Sequence, residues 1–108
     1  MRRFLYRQPR FKTNLTMDFI LDDAVLLGVC RSISESGVGG ELSHPVQVGA
    51  AGLLTLYHGD QSVQVQAVVE ALEDEGTRMS FRFASPQERD QLRKFIHALP
   101  GAPPQVNP

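Results

Sequence analysis

The chain has 108 residues, 42% of them apolar, one cysteine and a formal net charge of −1. That length supports a single domain with a modest core. It contains no run of about 18 apolar residues, which excludes a transmembrane helix, and the lone Cys30 excludes an internal disulfide and suits a reducing compartment.

The first predicted segment is a basic arm over residues 1–12. It holds Arg2, Arg3, Arg7, Arg10 and Lys12 and no acid, whereas residues 13–108 hold six basic residues against twelve acidic ones. An acidic body argues against wrapping duplex nucleic acid, and a short basic arm on it suggests local capture of an anion. Pro9, Lys12 and Asn14 interrupt any apolar stretch, so the arm is not a signal peptide. Arg3 and Arg7 stand four apart, and each guanidinium can fork onto a phosphate or onto the O6/N7 edge of a guanine. Arg10 offers an alternative pairing with Arg7. Phe4, Tyr6 and Phe11 interleave these bases, either as stacking platforms or as pins to the body.

After the arm, Leu15, Met17, Phe19 and Leu21 alternate with Asn14, Thr16 and Asp18, a period of two that marks a strand with one buried face. Asp22-Asp23 signals a turn. The next strand, about Ala24 to Arg31, repeats the pattern on Val25, Leu27 and Val29, and the two read as a hairpin. A Ser/Gly loop follows, Ser32-Ile33-Ser34-Glu35-Ser36-Gly37-Val38-Gly39-Gly40. Its serines offer hydroxyls, and its glycines permit positive φ and close approach of a ligand. It lacks the lysine and the strand–helix context of a nucleotide P-loop.

A short strand is expected over Gly40 to Leu42, another over Gly52–His58, and a third over Ser62–Leu72, where Val63, Val65, Ala67, Val69 and Ala71 share one face. Glu73-Asp74-Glu75-Gly76 reads as a solvated acidic turn, and Arg78–Phe83 as the last strand. Ser85-Pro86-Gln87-Glu88 then starts a helix, with Ser85 as N-cap, Pro86 at the first helical position and Glu88 closing a capping box. Leu92, Phe95, Ile96 and Leu99 give it one apolar face. Pro100 limits the helix, and the proline-rich residues 100–108 read as a disordered tail. Many short strands with one terminal helix predict a small antiparallel barrel or sandwich, with the helix packed on it or covering one end. His44, His58 and His97 are scattered without ligand spacing, so no metal site is expected, and no strand–Ser–helix elbow supports a catalytic serine.

The order of an Arg-x-x-x-Arg motif, a hairpin, a motif close to Asp/Asn-x-Ser-x-x-Gly, further strands and a terminal helix resembles the PilZ domain family. Arg3 and Arg7 fit its first motif, Ser34 and Gly37 its second, and Met79-Ser80-Phe81-Arg82-Phe83-Ala84-Ser85-Pro86-Gln87-Glu88-Arg89 looks like its last strand leading into its helix. The resemblance covers roughly residues 2–99. It implies a six-stranded antiparallel, Greek-key-like β-barrel with one C-terminal α-helix over residues 13–99, and binding of cyclic di-GMP. Arg3 and Arg7 would contact phosphates and guanine edges, Arg10 would assist, and Ser34 and Gly37 would hold a guanine and its phosphate at the barrel surface. Ser32 stands where the family has Asp or Asn. Its oxygen is a shorter and weaker acceptor for guanine N–H groups, a loss worth about 1–3 kcal/mol.

Such a protein would be a cytoplasmic bacterial switch rather than an enzyme. It would need no cofactor and no membrane insertion, be a monomer or weak homodimer, and act by ordering its arm over the ligand and contacting an unidentified protein partner. Two other readings remain. One is a PilZ-like interaction module of the pilus or motility kind that no longer binds the nucleotide. The other is a binder of single-stranded nucleic acid, which the acidic body disfavours.

Overall fold

A computed structural model of the chain describes residues 10–74 and 76–102. Six strands, β1 (Phe11–Leu21), β2 (Ala24–Ile33), β3 (Gly37–Leu42), β4 (Ala51–His58), β5 (Gln61–Glu73) and β6 (Gly76–Arg82), precede one helix, α1 (Pro86–His97). The strands close into an antiparallel barrel in the order β1-β2-β3-β6-β5-β4. Closure leaves no sheet edge among these strands, which protects a strand-rich chain of this size from edge-to-edge association.

The inward residues of each strand make one core. Leu15, Met17 and Phe19 of β1, Leu54 and Leu56 of β4, and Val65, Ala67 and Val69 of β5 are all buried, as their alternation predicts. Strand β2 departs from the expected alternation. Leu26 and Cys30 face the core, while Val25 and Leu27 are 57% and 62% exposed. The register gives the reason: Leu26 pairs with Phe19 and Cys30 with Leu15, so they share the inward face of β1. The residues at the Val25 parity pair instead with the outward side, Val25 with Ile20 and Leu27 with Asp18.

The chain enters the barrel earlier than the expected arm boundary. Phe11 and Lys12 belong to β1, paired with Ile33 and Ser32. The expected Ser/Gly loop is mostly sheet. Ser32 and Ile33 end β2, and Gly37 to Gly40 lie in β3, so the turn proper is residues 34–36.

Helix α1 begins at the expected N-cap and N1 proline, but the expected capping box forms only in its Ser85 half, because the Glu88 carboxylate reaches past the cap to Ala84. Ser85 is the N-cap and accepts from the Glu88 N–H at 3.2 Å, and Glu88 Oε1 accepts from the Ala84 N–H at 3.0 Å. Leu92, Phe95 and Ile96 are buried with the barrel core, as is Leu99 beyond the helix end. Antiparallel pairing puts Phe11, Ile33, Gly37, His58, Gln61 and Arg82 at one end of the barrel. The helix is held at that end: Glu35 of the β2–β3 turn pairs with His97 Nε2 at 2.7 Å and with Arg93 Nε at 3.3 Å. Past the helix, the Ala102 N–H donates to the Leu99 carbonyl at 3.2 Å, so residues 100–102 form an ordered turn. Residues 103–108 of the expected tail lie outside the described residues.

Candidate functional site

Four outward residues fall in one row across the barrel. Lys12 of β1 pairs with Ser32 of β2, Ser32 with Gly39 of β3, and Gly39 with Arg78 of β6. Directly paired residues point to the same face, so these form one transverse line on the outer surface. The two middle positions carry almost no side chain, and the two ends carry long cations. The result is a groove of about 650 Å3, lined by Arg10, Lys12, Arg31, Ser32, Gly39 and Arg78 among others.

A bulge in β2 is what turns Ser32 toward this groove. The pairing with β3 steps from Cys30–Gly40 to Ser32–Gly39, two residues of β2 against one of β3. Cys30 and Ile33 are both fully buried. Strict alternation from Cys30 would have aimed Ser32 inward and Ile33 outward; the extra residue reverses this. The bulge thus gives the groove both Arg31 and Ser32.

Arg10 closes the contact between arm and motif. Its Nη1 donates to Ser32 Oγ at 3.0 Å. A Cβ at Gly39 would lie 2.9 Å from Ser32 Oγ and 3.4 Å from Arg10 Nη1. Gly39 therefore keeps the floor open directly beneath this pair.

The other motif residues play different parts. Ser34 is 2% exposed. Its Oγ lies 3.0 Å from Ser36 Oγ and accepts from the Ser36 N–H at 3.2 Å, while its own N–H donates to the Gly37 carbonyl at 2.9 Å. Its hydroxyl is thus spent on the turn. The turn is tied to β6 in addition, since the Phe81 N–H donates to the Ser36 carbonyl at 2.9 Å. Gly37 is required by close packing: a Cβ there would come 2.2 Å from the Met79 carbonyl oxygen. Gly37, Gly39 and Gly40 are absent from the positive-φ residues of the chain, which corrects the expectation that they supply that conformation. Close strand pairing takes its place as the reason for glycine.

Arg3 and Arg7 lie outside the described residues. Sequence reasoning missed Lys12, Arg31 and Arg78 as groove residues. Each is an ordinary outward base on a strand, and only the register of four strands collects them. The acidic turn is also more engaged than expected, since Glu73 Oε2 lies 3.3 Å from Arg78 Nη1. Arg31 faces Glu41, with Nε and Oε2 3.6 Å apart. Beneath the groove, the Cys30 thiol donates to the Ser32 carbonyl at 3.2 Å, and burial pushes its pKa up to about 12.

A larger hollow of about 820 Å3 lies between α1 and β5. Gln61, Gln64, Gln66 and Gln91 dominate it, with Lys94 offset by Glu88, so it lacks the concentrated positive charge of the β1–β2–β3–β6 groove. Among the described residues no group of three or more His, Cys, Asp or Glu could hold a metal ion, and no helix is long and apolar enough to cross a membrane.

The PilZ domain family model matches residues 3–98. Among solved structures, the PilZ domain of CeSA from a cellulose-synthesizing bacterium aligns with a TM-score of 0.69 at 8% identity, over 82% of this chain and 94% of that one. The Bacillus subtilis inhibitor of motility, MotI/DgrA, aligns with a TM-score of 0.67 at 17% identity, over 88% of this chain and 51% of that one. At these identities the likeness to the two structures shows the fold alone. No curated protein sequence matches the chain.

Proposed function

The chain belongs to the PilZ domain family, a family of cyclic di-GMP receptors, and from that premise we propose that it binds cyclic di-GMP in the β1–β2–β3–β6 groove. The contact between Arg10 and Ser32 carries this reading. It ties the end of the basic arm to the second motif, over a glycine floor, in a groove rich in guanidinium groups. Arg3 and Arg7 would fold back over the same groove and take phosphates and guanine edges, with Arg10 assisting. Ser32 would accept from a guanine N–H. Gly37 and Ser34 would hold the turn that fixes this arrangement. PilZ domains are receptor and adaptor modules rather than enzymes; ordering of the arm would change the surface shown to a protein partner.

Ordering about eight arm residues costs about 1 kcal/mol or more each in backbone entropy. Charge-assisted and bidentate contacts return about 1–3 kcal/mol apiece. Several arginines must therefore act together. Titration calorimetry with cyclic di-GMP tests the reading, and no heat at high micromolar ligand overturns it. Arg7→Ala should abolish binding and leave the circular dichroism spectrum unchanged; normal binding by that variant removes the arm from the site.

A second reading has its own observation. Ser32 offers a hydroxyl where the family pattern has a carboxylate or amide, and that hydroxyl already accepts from Arg10. This favours an interaction module that no longer binds the nucleotide. MotI/DgrA, an inhibitor of motility by its name, shares the fold. Capture of a protein partner equally with and without cyclic di-GMP would support this second reading.

A further inference from the structure

We propose that Arg78 is a ligand-binding residue forming the far wall of the groove, and that Glu73 competes with the ligand for it. The inference rests on the reading of the groove as the cyclic di-GMP site. Its basis is the transverse row Lys12–Ser32–Gly39–Arg78. Strands lie about 4.8 Å apart, so three steps along the curved sheet put the backbones of the two cationic ends at most about 14 Å apart. Ser32 and Gly39 add almost no side chain between them, and the Arg10 guanidinium reaches over this middle ground, 3.0 Å from Ser32 Oγ. A ligand with anionic groups or guanine edges on two sides would meet Arg10 and Lys12 on one wall and Arg78 on the other.

Arg78 is held in a way that a ligand can replace. Its Nη1 is 3.3 Å from Glu73 Oε2, and the two side chains are 46% and 48% exposed. An exposed ion pair of this kind is screened by water and contributes little. A phosphate or the O6/N7 edge of guanine offers the guanidinium a two-point contact of better geometry. Residue 78 pairs with Ala71 on its other side, so no large side chain from β5 stands directly opposite it on this row. Glu73 reaches it diagonally, from beside the β5–β6 turn. Arg82, two positions along the same face of β6, behaves differently. Its guanidinium donates to Glu70 Oε2 at 3.0 Å and to Ser80 Oγ at 2.7 Å, and it lies outside the groove lining.

The test is calorimetric titration of the full chain and three variants with cyclic di-GMP, with thermal unfolding midpoints measured alongside. Arg78→Ala should weaken binding by about tenfold or more, the loss of a charged hydrogen bond. Arg82→Ala should stay within about twofold of the parent, as expected for a surface change off the site. Glu73→Gln should tighten binding, because the competing carboxylate is gone. If Arg78→Ala fails to fold, Arg78→Lys keeps the charge and removes the fork, and should still bind more weakly than the parent. Binding by either Arg78 variant at the parent affinity overturns the inference and leaves the receptor reading standing. Weakening by Glu73→Gln would make Glu73 a positioning partner and overturn the competition. No binding by the parent chain overturns both the receptor reading and this inference.

Discussion

Cys30 and Ser32 are two residues apart on one strand yet face opposite sides of it, because the bulge falls between them. Cys30 is fully buried under the groove, and burial raises its pKa from 9.0 to about 12 although Arg10 lies near enough to oppose the shift. The thiolate form is disfavoured in the folded chain relative to the unfolded one. Stability linked to this group is therefore complete below about pH 9 and falls as pH rises toward 12, because the unfolded chain releases the proton first. At pH 8 the native thiol should react with an aromatic disulfide reagent far more slowly than the denatured chain. Equal rates would mean that Cys30 is not shielded. The sequence alone showed a single cysteine without a disulfide partner, but it did not reveal that Cys30 carries the carbonyl contact behind Ser32.

At the scale of the element, the motif turn and β3 separate two uses of glycine. A side chain at Gly37 meets the Met79 carbonyl at 2.2 Å, a backbone atom that cannot swing away. At Gly39 it meets the ends of two side chains, Ser32 Oγ and Arg10 Nη1, both able to shift. Gly37→Ala should accordingly lower stability by about 1–3 kcal/mol in chemical denaturation, the usual cost of overpacking. Gly39→Ala should fold with a near-parental midpoint yet weaken cyclic di-GMP binding, since it fills the groove floor. The reverse pattern would mean that the floor has been misassigned. Reading the segment as a loop failed here because serine and glycine mark turns by composition, whereas in this chain they serve strands that approach closely. The same limit affected β2: Val25 and Leu27 look like a buried alternation, and only their pairing with Ile20 and Asp18 sets them outward.

At the scale of the whole molecule, α1 is part of the barrel's core. Leu92 and Ile96 are each 1% exposed, and the helix is latched to the motif turn through Glu35. Ile96→Ala should destabilise the protein by about 2–5 kcal/mol, the range for large-to-small core changes, and lower the unfolding midpoint in urea to match. A loss under about 1 kcal/mol would show that the helix rests on the barrel without completing it. Glu35 thus connects the turn bearing Ser34 and Gly37 directly to the helix, through Arg93 and His97.

The sequence by itself determined the class of structure and the family. Period-two alternation in β1 and β5, the capping box at Ser85 and the apolar spacing from Leu92 to Leu99 are local signals, written within a few residues of where they act. The spacing of Arg3, Arg7, Ser34 and Gly37 is likewise linear. Tertiary structure decided the rest. The groove exists because a bulge between Cys30 and Ser32 turns a side chain outward, and because four strands, with a further register shift between Lys12 and Leu15, bring Lys12, Ser32, Gly39 and Arg78 into one row. Those residues span 66 positions of chain between 12 and 78. No local pattern encodes that row, since strand register is set by which buried faces must meet around a closed barrel.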